Sequence, residues 1–195
     1  MHKKYYSQNG EDKFLDSFIL NNSIHVHNKI IEIGALTGTY NSNSRFFIEH
    51  YNWEGIMIEP NPYSFTELVN NTKNINVILE NVAISNQTGT CNFQTDTVHP
   101  GHSKISDKGN VKVKSIKFDE IFKKHPQFLN FDILSIDVEG NEIPILQDLM
   151  KYKIFPTFII SEHFTDNLRD IQNSIICSEY NILTTISYNT IWKRK

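Results

Sequence analysis

Short apolar runs, "KIIEI", "GIMIE", "FDILSID" and "TFIIS", punctuate this chain, and segments with helical spacing of apolar residues lie between them. Such runs match the length of buried strands, and strands that alternate with helices must be joined by crossovers. The alternation therefore predicts an α/β fold: a doubly wound, mostly parallel sheet with helices on both faces. The end of the chain departs from the alternation. "NILTTIS" and "TIWKR" predict an antiparallel hairpin turning around Tyr188-Asn189. With 195 residues the chain suffices for one compact domain, 1–195. In such a sheet the ligand crevice lies at the carboxyl ends of the strands.

Around that frame, "EDKFLDSFIL" is expected to form a helix within an amino-terminal cap segment, 1–22, with Glu11 and Asp12 near its positive end. "SRFFIEHY" and "PYSFTELVNN" supply two more helices, the second with Pro62 suited to a first turn. "INVILENVAIS" predicts one strand, "CNFQT" a short strand and "VKVKSI" an edge strand. Residues 95–110, rich in polar and turn-forming residues, predict a flexible loop. "FDEIFKKH", "NEIPILQDLM" and "TDNLRDIQNSI" are helical, and Pro144 is tolerated if it stands in a first turn.

Charge and composition exclude several functions. The formal net charge of −3 offers no basic surplus for DNA or RNA. No apolar run approaches the ~20 residues of a membrane span. The polar start "MHKKYYSQNGEDKF" lacks a secretory apolar core, so a cytoplasmic location is expected. Cys91 and Cys177 match no metal spacing and read as free thiols. Nothing in the sequence speaks to oligomeric state.

Three clusters can carry chemistry. In "EIGALTG" an acid, Glu32, precedes Gly34 and Gly38, a turn that serves either a buried strand leaving the sheet or a ligand approaching the backbone. Its glycine spacing is not the G-x-G-x-x-G of dinucleotide folds, which argues against a nicotinamide dehydrogenase, and an acid there would repel pyrophosphate. Glu59, at the end of "GIMIEPNP", lies where nucleotide-binding folds place an acid on ribose hydroxyls, although a strand-end acid can also cap the next helix. In "LSIDVEGNE", Asp137, Glu139 and Glu142 gather where a strand becomes a helix. They either cap and complement that helix or serve as base, cation ligand or amine partner.

Five motifs in order, "YSQNGEDKFL", "IIEIGALTGTYNSNSRFF", "GIMIEPNPYSFTELVNN", "NVILENVAIS" and "LSIDVEGNE", resemble FkbM-type methyltransferases. The resemblance covers most of the chain. It implies a single-domain class I methyltransferase (Rossmann-like) fold that uses S-adenosyl-L-methionine and acts on a hydroxyl of a sugar, glycan or other small molecule. It further implies that Glu32, Gly34, Ala35 and Gly38 lie against the methionine part of the cofactor. Glu59, followed by Pro60, would hold the ribose, and Asn81 and Val82 would flank the adenine. Asp137 would face donor and acceptor, and Ser7, Gln8 and Asp12 would cover the pocket. Ser135 departs from the pattern, because family members often carry Lys there. That departure, with the expectation that so short a chain carries no acceptor domain, motivates the alternative of a catalytically inactive cofactor-binding module.

Methylating an alcohol requires alignment and removal of the hydroxyl proton. Asp137, Glu139 and His163 are the candidate bases. A divalent cation could acidify the hydroxyl instead, but no residue spacing indicates one, and His99 and His102 lack a third ligand. Tyr40, Trp53 and Phe65 are expected to be packing residues.

Overall fold

The computed structural model describes residues 3–195; Met1 and His2, the first residues of the expected cap segment, lie outside it. The strands are β1 (Lys29–Ile33), β2 (Glu54–Ile58), β3 (Val77–Glu80), β4 (Ala83–Ile84), β5 (Gly89–Gln94), β6 (Lys104–Ile105), β7 (Val111–Ile116), β8 (Ile133–Ile136), β9 (Phe158–Glu162), β10 (Tyr180–Ile186) and β11 (Asn189–Arg194). The helices are α1 (Glu11–Asn21), α2 (Arg45–Tyr51), α3 (Pro62–Asn71), α4 (Phe118–Lys124), α5 (Glu142–Tyr152) and α6 (Asp166–Ile176).

A seven-stranded sheet, ordered β10-β11-β9-β8-β1-β2-β3, forms the spine. The strands from β3 to β9 in that order run parallel, and β11 is antiparallel to both β9 and β10. Side-chain alternation explains why helices cover both faces. Ile30, Met57, Ile133 and Phe158 pack with Leu15 of α1, Phe46 and Phe47 of α2 and Leu68 of α3. Ile31, Ile33, Leu134 and Ile136, on the other face, pack with Ile121 of α4, Ile145 and Leu149 of α5 and Ile176 of α6.

Local signals set the helix starts. Asn61 accepts the Tyr63 N–H with Pro62 in the first turn, and Thr165 accepts the Leu168 N–H at the start of α6. Pro144 falls in the first turn of α5, where no backbone donor is lost. The α2 start is held differently. Glu32 reaches across from β1 and accepts the Asn43 N–H at 2.6 Å and the Ser42 and Ser44 hydroxyls at 2.8 and 2.6 Å.

The middle of the chain differs from expectation. "INVILENVAIS" is two strands rather than one: β3 edges the main sheet, and β4 begins a second, four-stranded sheet ordered β4-β7-β5-β6. "VKVKSI" is accordingly an inner strand of that small sheet, not an edge. Its apolar side, Phe93 and Val113 against Ala83, explains the alternation that suggested an exposed edge. The 95–110 segment contains a 3-10 turn at Pro100–His102 and β6, which pairs with β5. In the closing hairpin the two turn residues are Ser187 and Tyr188, since Ile186 pairs with Asn189.

One contact fixes how closely β1 and β8 can leave the sheet side by side. Gly34 has φ 88°, and a Cβ there would lie 1.8 Å from the Asp137 carbonyl oxygen. Gly34→Ala should therefore cost about 3 kcal/mol through overlap and left-handed strain. Gly89→Ala, also at positive φ but with open space around it, should cost only ~1 kcal/mol. Urea denaturation of the two variants measures the difference.

Candidate active site

A cavity of about 850 Å³ opens at the carboxyl ends of β1, β2, β8 and β9, roofed by the small sheet and the 3-10 turn. Gly34, Ala35 and Leu36 line it from the β1 turn, Glu59 and Pro60 from the end of β2, and Asp137 and Glu139 from the end of β8. Gln8 reaches it from the amino-terminal segment and Glu162 from the end of β9. Val82, Ile84 and Phe93 give one wall an apolar face, while Tyr40, Tyr63, Phe164 and Tyr188 stand around the space. Its volume suits a drug-sized or cofactor-sized molecule.

The β1 turn and β2 are tied together by the backbone. The Gly34 and Ala35 N–H groups donate to the Ile58 carbonyl at 2.9 and 3.0 Å, and the Asp137 N–H donates to the Ile33 carbonyl at 3.0 Å. Glu59 completes the tie: its carboxylate accepts the Leu36 N–H at 2.8 Å and the Asn61 N–H at 2.7 Å. Burial drives its pKa to about 7 against these two donors, with the Asp137 charge adding to the rise. Each of its oxygens keeps acceptor capacity beyond the one backbone bond it makes.

Across the cavity, oxygens of Asp137, Glu139 and Glu162 lie within 4.8 Å of one another. Asp137 is open to the cavity yet surrounded by protein at its floor. Burial raises its pKa and that of Glu162, and the neighbouring carboxylates add to both. Like charges at this spacing resist ionising together, so the Asp137–Glu162 pair gives up its protons less readily than isolated acids do. One Glu162 oxygen is buried without a hydrogen-bond partner. Such an arrangement can take up a proton or receive donors from a hydroxyl-bearing ligand. Glu142 stays out of it, because its Oε1 accepts the Val138 and Gly140 N–H groups and closes the loop into α5.

Of the residues singled out from sequence, the cavity gathers Gln8, Gly34, Ala35, Glu59, Pro60, Val82, Asp137 and Glu139. Six others stand elsewhere. Ser7 and Asp12 do not line the cavity: the Ser7 hydroxyl donates to Asp12 Oδ1 at 2.6 Å at the start of α1. Glu32 is buried beneath the sheet face and engaged at the α2 start, because strand parity turns residue 32 toward α2 while its turn faces the cavity. Gly38 abuts α3: a Cβ there would meet Leu68 Cδ1 at 2.4 Å. Asn81 fastens its segment to the Glu59 carbonyl at 2.7 Å rather than lining the cavity. His163 is buried, with its ring 3.4 Å from Thr190 Oγ1, and its pKa is lowered by burial and then by Arg169. In its place the preceding residue, Glu162, enters the cavity.

Glu162 was legible by the same rule that singles out Glu59, an acid closing a parallel strand. Tyr40 is no packing residue: it is 69% exposed at the cavity, whereas Trp53 packs tilted against Phe47 in the core. Ser135, at the position of the family lysine, is buried away from the cavity and accepts a hydrogen bond from Asn43 Nδ2 at 3.0 Å. Cys91 and Cys177 are free, and among the described residues no helix is long and apolar enough to cross a membrane.

A family model, the Methyltransferase FkbM domain, matches residues 32–174. Among solved structures, the methyltransferase FkbM of Methylobacillus flagellatus is similar over 86% of this chain, with 16% identity and a TM-score of 0.52. This chain spans 43% of the length of that protein. The Bacillus cereus O-methyltransferase in complex with S-adenosylhomocysteine is similar over 100% of this chain and 84% of its own, with 13% identity and a TM-score of 0.54. The S-adenosylhomocysteine-bound methyltransferase PaMTH1 of Podospora anserina covers 97% and 80% at 10% identity, with a TM-score of 0.52. No curated protein matches the chain. The solved structures share the class I methyltransferase fold, and the family match extends over most of the sequence: the chain belongs to the FkbM methyltransferase domain family.

Proposed function

We propose that the protein transfers a methyl group from S-adenosylmethionine to a hydroxyl of a small molecule or glycan, with Asp137 receiving the hydroxyl proton. The observation that carries this reading is that one cavity holds both the buried acid that follows β2, Glu59, and the carboxyl group of Asp137, with an apolar wall beside them.

The lining fits the cofactor by charge and shape. Glu59 would accept the ribose hydroxyls, Val82 and Ile84 would flank the base, and the β1 turn with Gln8 would hold the amino-acid end. The negative lining favours the cofactor's ammonium and sulfonium charges over a pyrophosphate. When bound, the cofactor supplies an electrophilic methyl group.

Asp137 and Glu162 together manage one proton. With that proton on Glu162, Asp137 is free as a carboxylate to accept the hydroxyl's hydrogen, and its raised pKa makes it a better base than an exposed aspartate. Alignment of the acceptor against the cavity floor supplies much of the remaining advantage. His163 has no part in the proton transfer, and Ser135, being outside the cavity, neither helps nor hinders it.

Three outcomes are expected. Glu59→Ala should weaken S-adenosylhomocysteine binding about 10- to 100-fold by calorimetry. Glu32→Ala should instead lower stability by about 3 kcal/mol, through the buried donors it strands at the α2 start, with affinity little changed in the folded protein. Asp137→Asn should keep that affinity within about threefold and lower kcat by ~10²- to 10⁴-fold, followed by labelled-methyl transfer across methyl glycosides and cyclic alcohols. Loss of binding in Asp137→Asn to the extent seen for Glu59→Ala would assign Asp137 to the cofactor alone.

A pH dependence follows from the buried carboxyl groups. Unfolded carboxyls ionise near pH 4, whereas Glu59 ionises at about 7 in the fold and the Asp137–Glu162 pair is also raised. The folded state therefore binds more protons between about pH 4.5 and 8, and stability falls as pH rises through that window. Melting temperatures should drop from pH 5 to pH 8, and Glu162→Gln should flatten the drop.

A further inference from the structure

Two aromatic rings that line the cavity lie outside the apolar core. Phe164 is 51% and Tyr188 58% exposed, and neither belongs to any of the three apolar clusters. Both line the cavity, on the side of Glu162. Phe164 follows Glu162 by two residues beyond the end of β9, and Tyr188 sits in the turn of the β10–β11 hairpin.

The backbone beneath these rings is anchored from several directions. The His163 N–H donates to the Tyr188 carbonyl at 2.7 Å, which ties the β9 exit to the hairpin turn. Asn189 Nδ2 donates to Glu11 Oε1 at 2.8 Å, which ties the turn to α1. Ser187 holds the turn with φ 53°, a conformation that L-residues adopt at a cost. Two apolar rings are thus kept at a cavity mouth, where burial rewards neither, by a network that the hairpin alone would not need.

We infer that Phe164 and Tyr188 determine acceptor specificity: they form an aromatic platform for an uncharged polyhydroxylated ring whose hydroxyl edge meets Asp137, Glu139 and Glu162. The inference rests on the methyl-transfer reading of the cavity. An aromatic face is negative at its centre and attracts the C–H face of such a ring. The carboxyl groups at the other edge receive its hydroxyl protons, and their remaining negative charge repels phosphate- or carboxylate-bearing acceptors.

The test is saturation-transfer NMR on protein loaded with S-adenosylhomocysteine, irradiating aromatic protons in the presence of methyl hexopyranosides, sugar phosphates and planar aromatic alcohols as separate probes. Calorimetry on the same samples reports loading. The expected result is transfer to the ring C–H protons of at least one methyl hexopyranoside and none to the sugar phosphates. Phe164→Ala and Tyr188→Ala should each weaken that probe's binding about three- to tenfold, while Tyr188→Phe, which keeps the ring, retains it. The affinity for S-adenosylhomocysteine should not change. A loaded protein that shows no transfer to any hexopyranoside, that prefers the aromatic alcohols or sugar phosphates, or whose transfer survives both alanine substitutions overturns the inference and leaves the methyltransferase reading standing. Failure of the wild-type protein to load overturns that reading and the inference together.

Discussion

The structure depends on the near-contact of two backbones where β1 and β8 leave the sheet. Gly34 lies so close to the Asp137 carbonyl that any side chain would collide with it. Because these neighbouring parallel strands end together, the turn after one and the acidic residue after the other open into the same space. Hydrogen bonds from Gly34 and Ala35 to Ile58 bring β2 into the same arrangement, and Glu59 locks it through Leu36 and Asn61. A glycine requirement in the backbone thereby becomes a requirement of the cavity.

That cavity concentrates negative charge to a degree a folded chain tolerates only with compensation. Glu59 receives two backbone donors, and the pKa values of Asp137 and Glu162 are both raised, so the two resist ionising together. A cationic ligand would relieve the remaining cost, which is why the proposed sulfonium donor suits the lining better than a dinucleotide would. Burial raises the pKa of Glu139, and His102 of the 3-10 turn with Lys104 of β6 lies close enough to offset part of that rise. The segment from β4 to β7 therefore does more than join two halves of the main sheet, because it supplies the wall facing the chemistry.

Much of the frame was legible in the sequence for identifiable reasons. Apolar runs of strand length between amphipathic helices leave few alternatives to a doubly wound sheet, and Pro62 and Pro144 mark helix starts because they sacrifice no backbone bond there. The second sheet was not legible. β4 contributes two residues and β6 two, too few for any periodicity, and their pairing is decided by partners distant along the chain. The same limit hid the exposure of Tyr40, since an aromatic residue in a turn reads alike whether it faces core or cavity.

For the candidate site, the sequence by itself determined which acids close the parallel strands and where a turn must be free of side chains, because both follow from local chain geometry. Only the tertiary structure decided which way each side chain turns. Glu32 and Glu59 both belong to acid-bearing strand motifs. Residue 32 falls within the paired strand and is directed at α2, whereas residue 59 follows the last pair and is free to face the cavity. His163 and Glu162 are neighbours that part by the same alternation, one held under the hairpin and the other delivered to Asp137. Strand parity is local, but its origin is set by where the sheet's hydrogen bonds stop, and that depends on partners no single segment encodes.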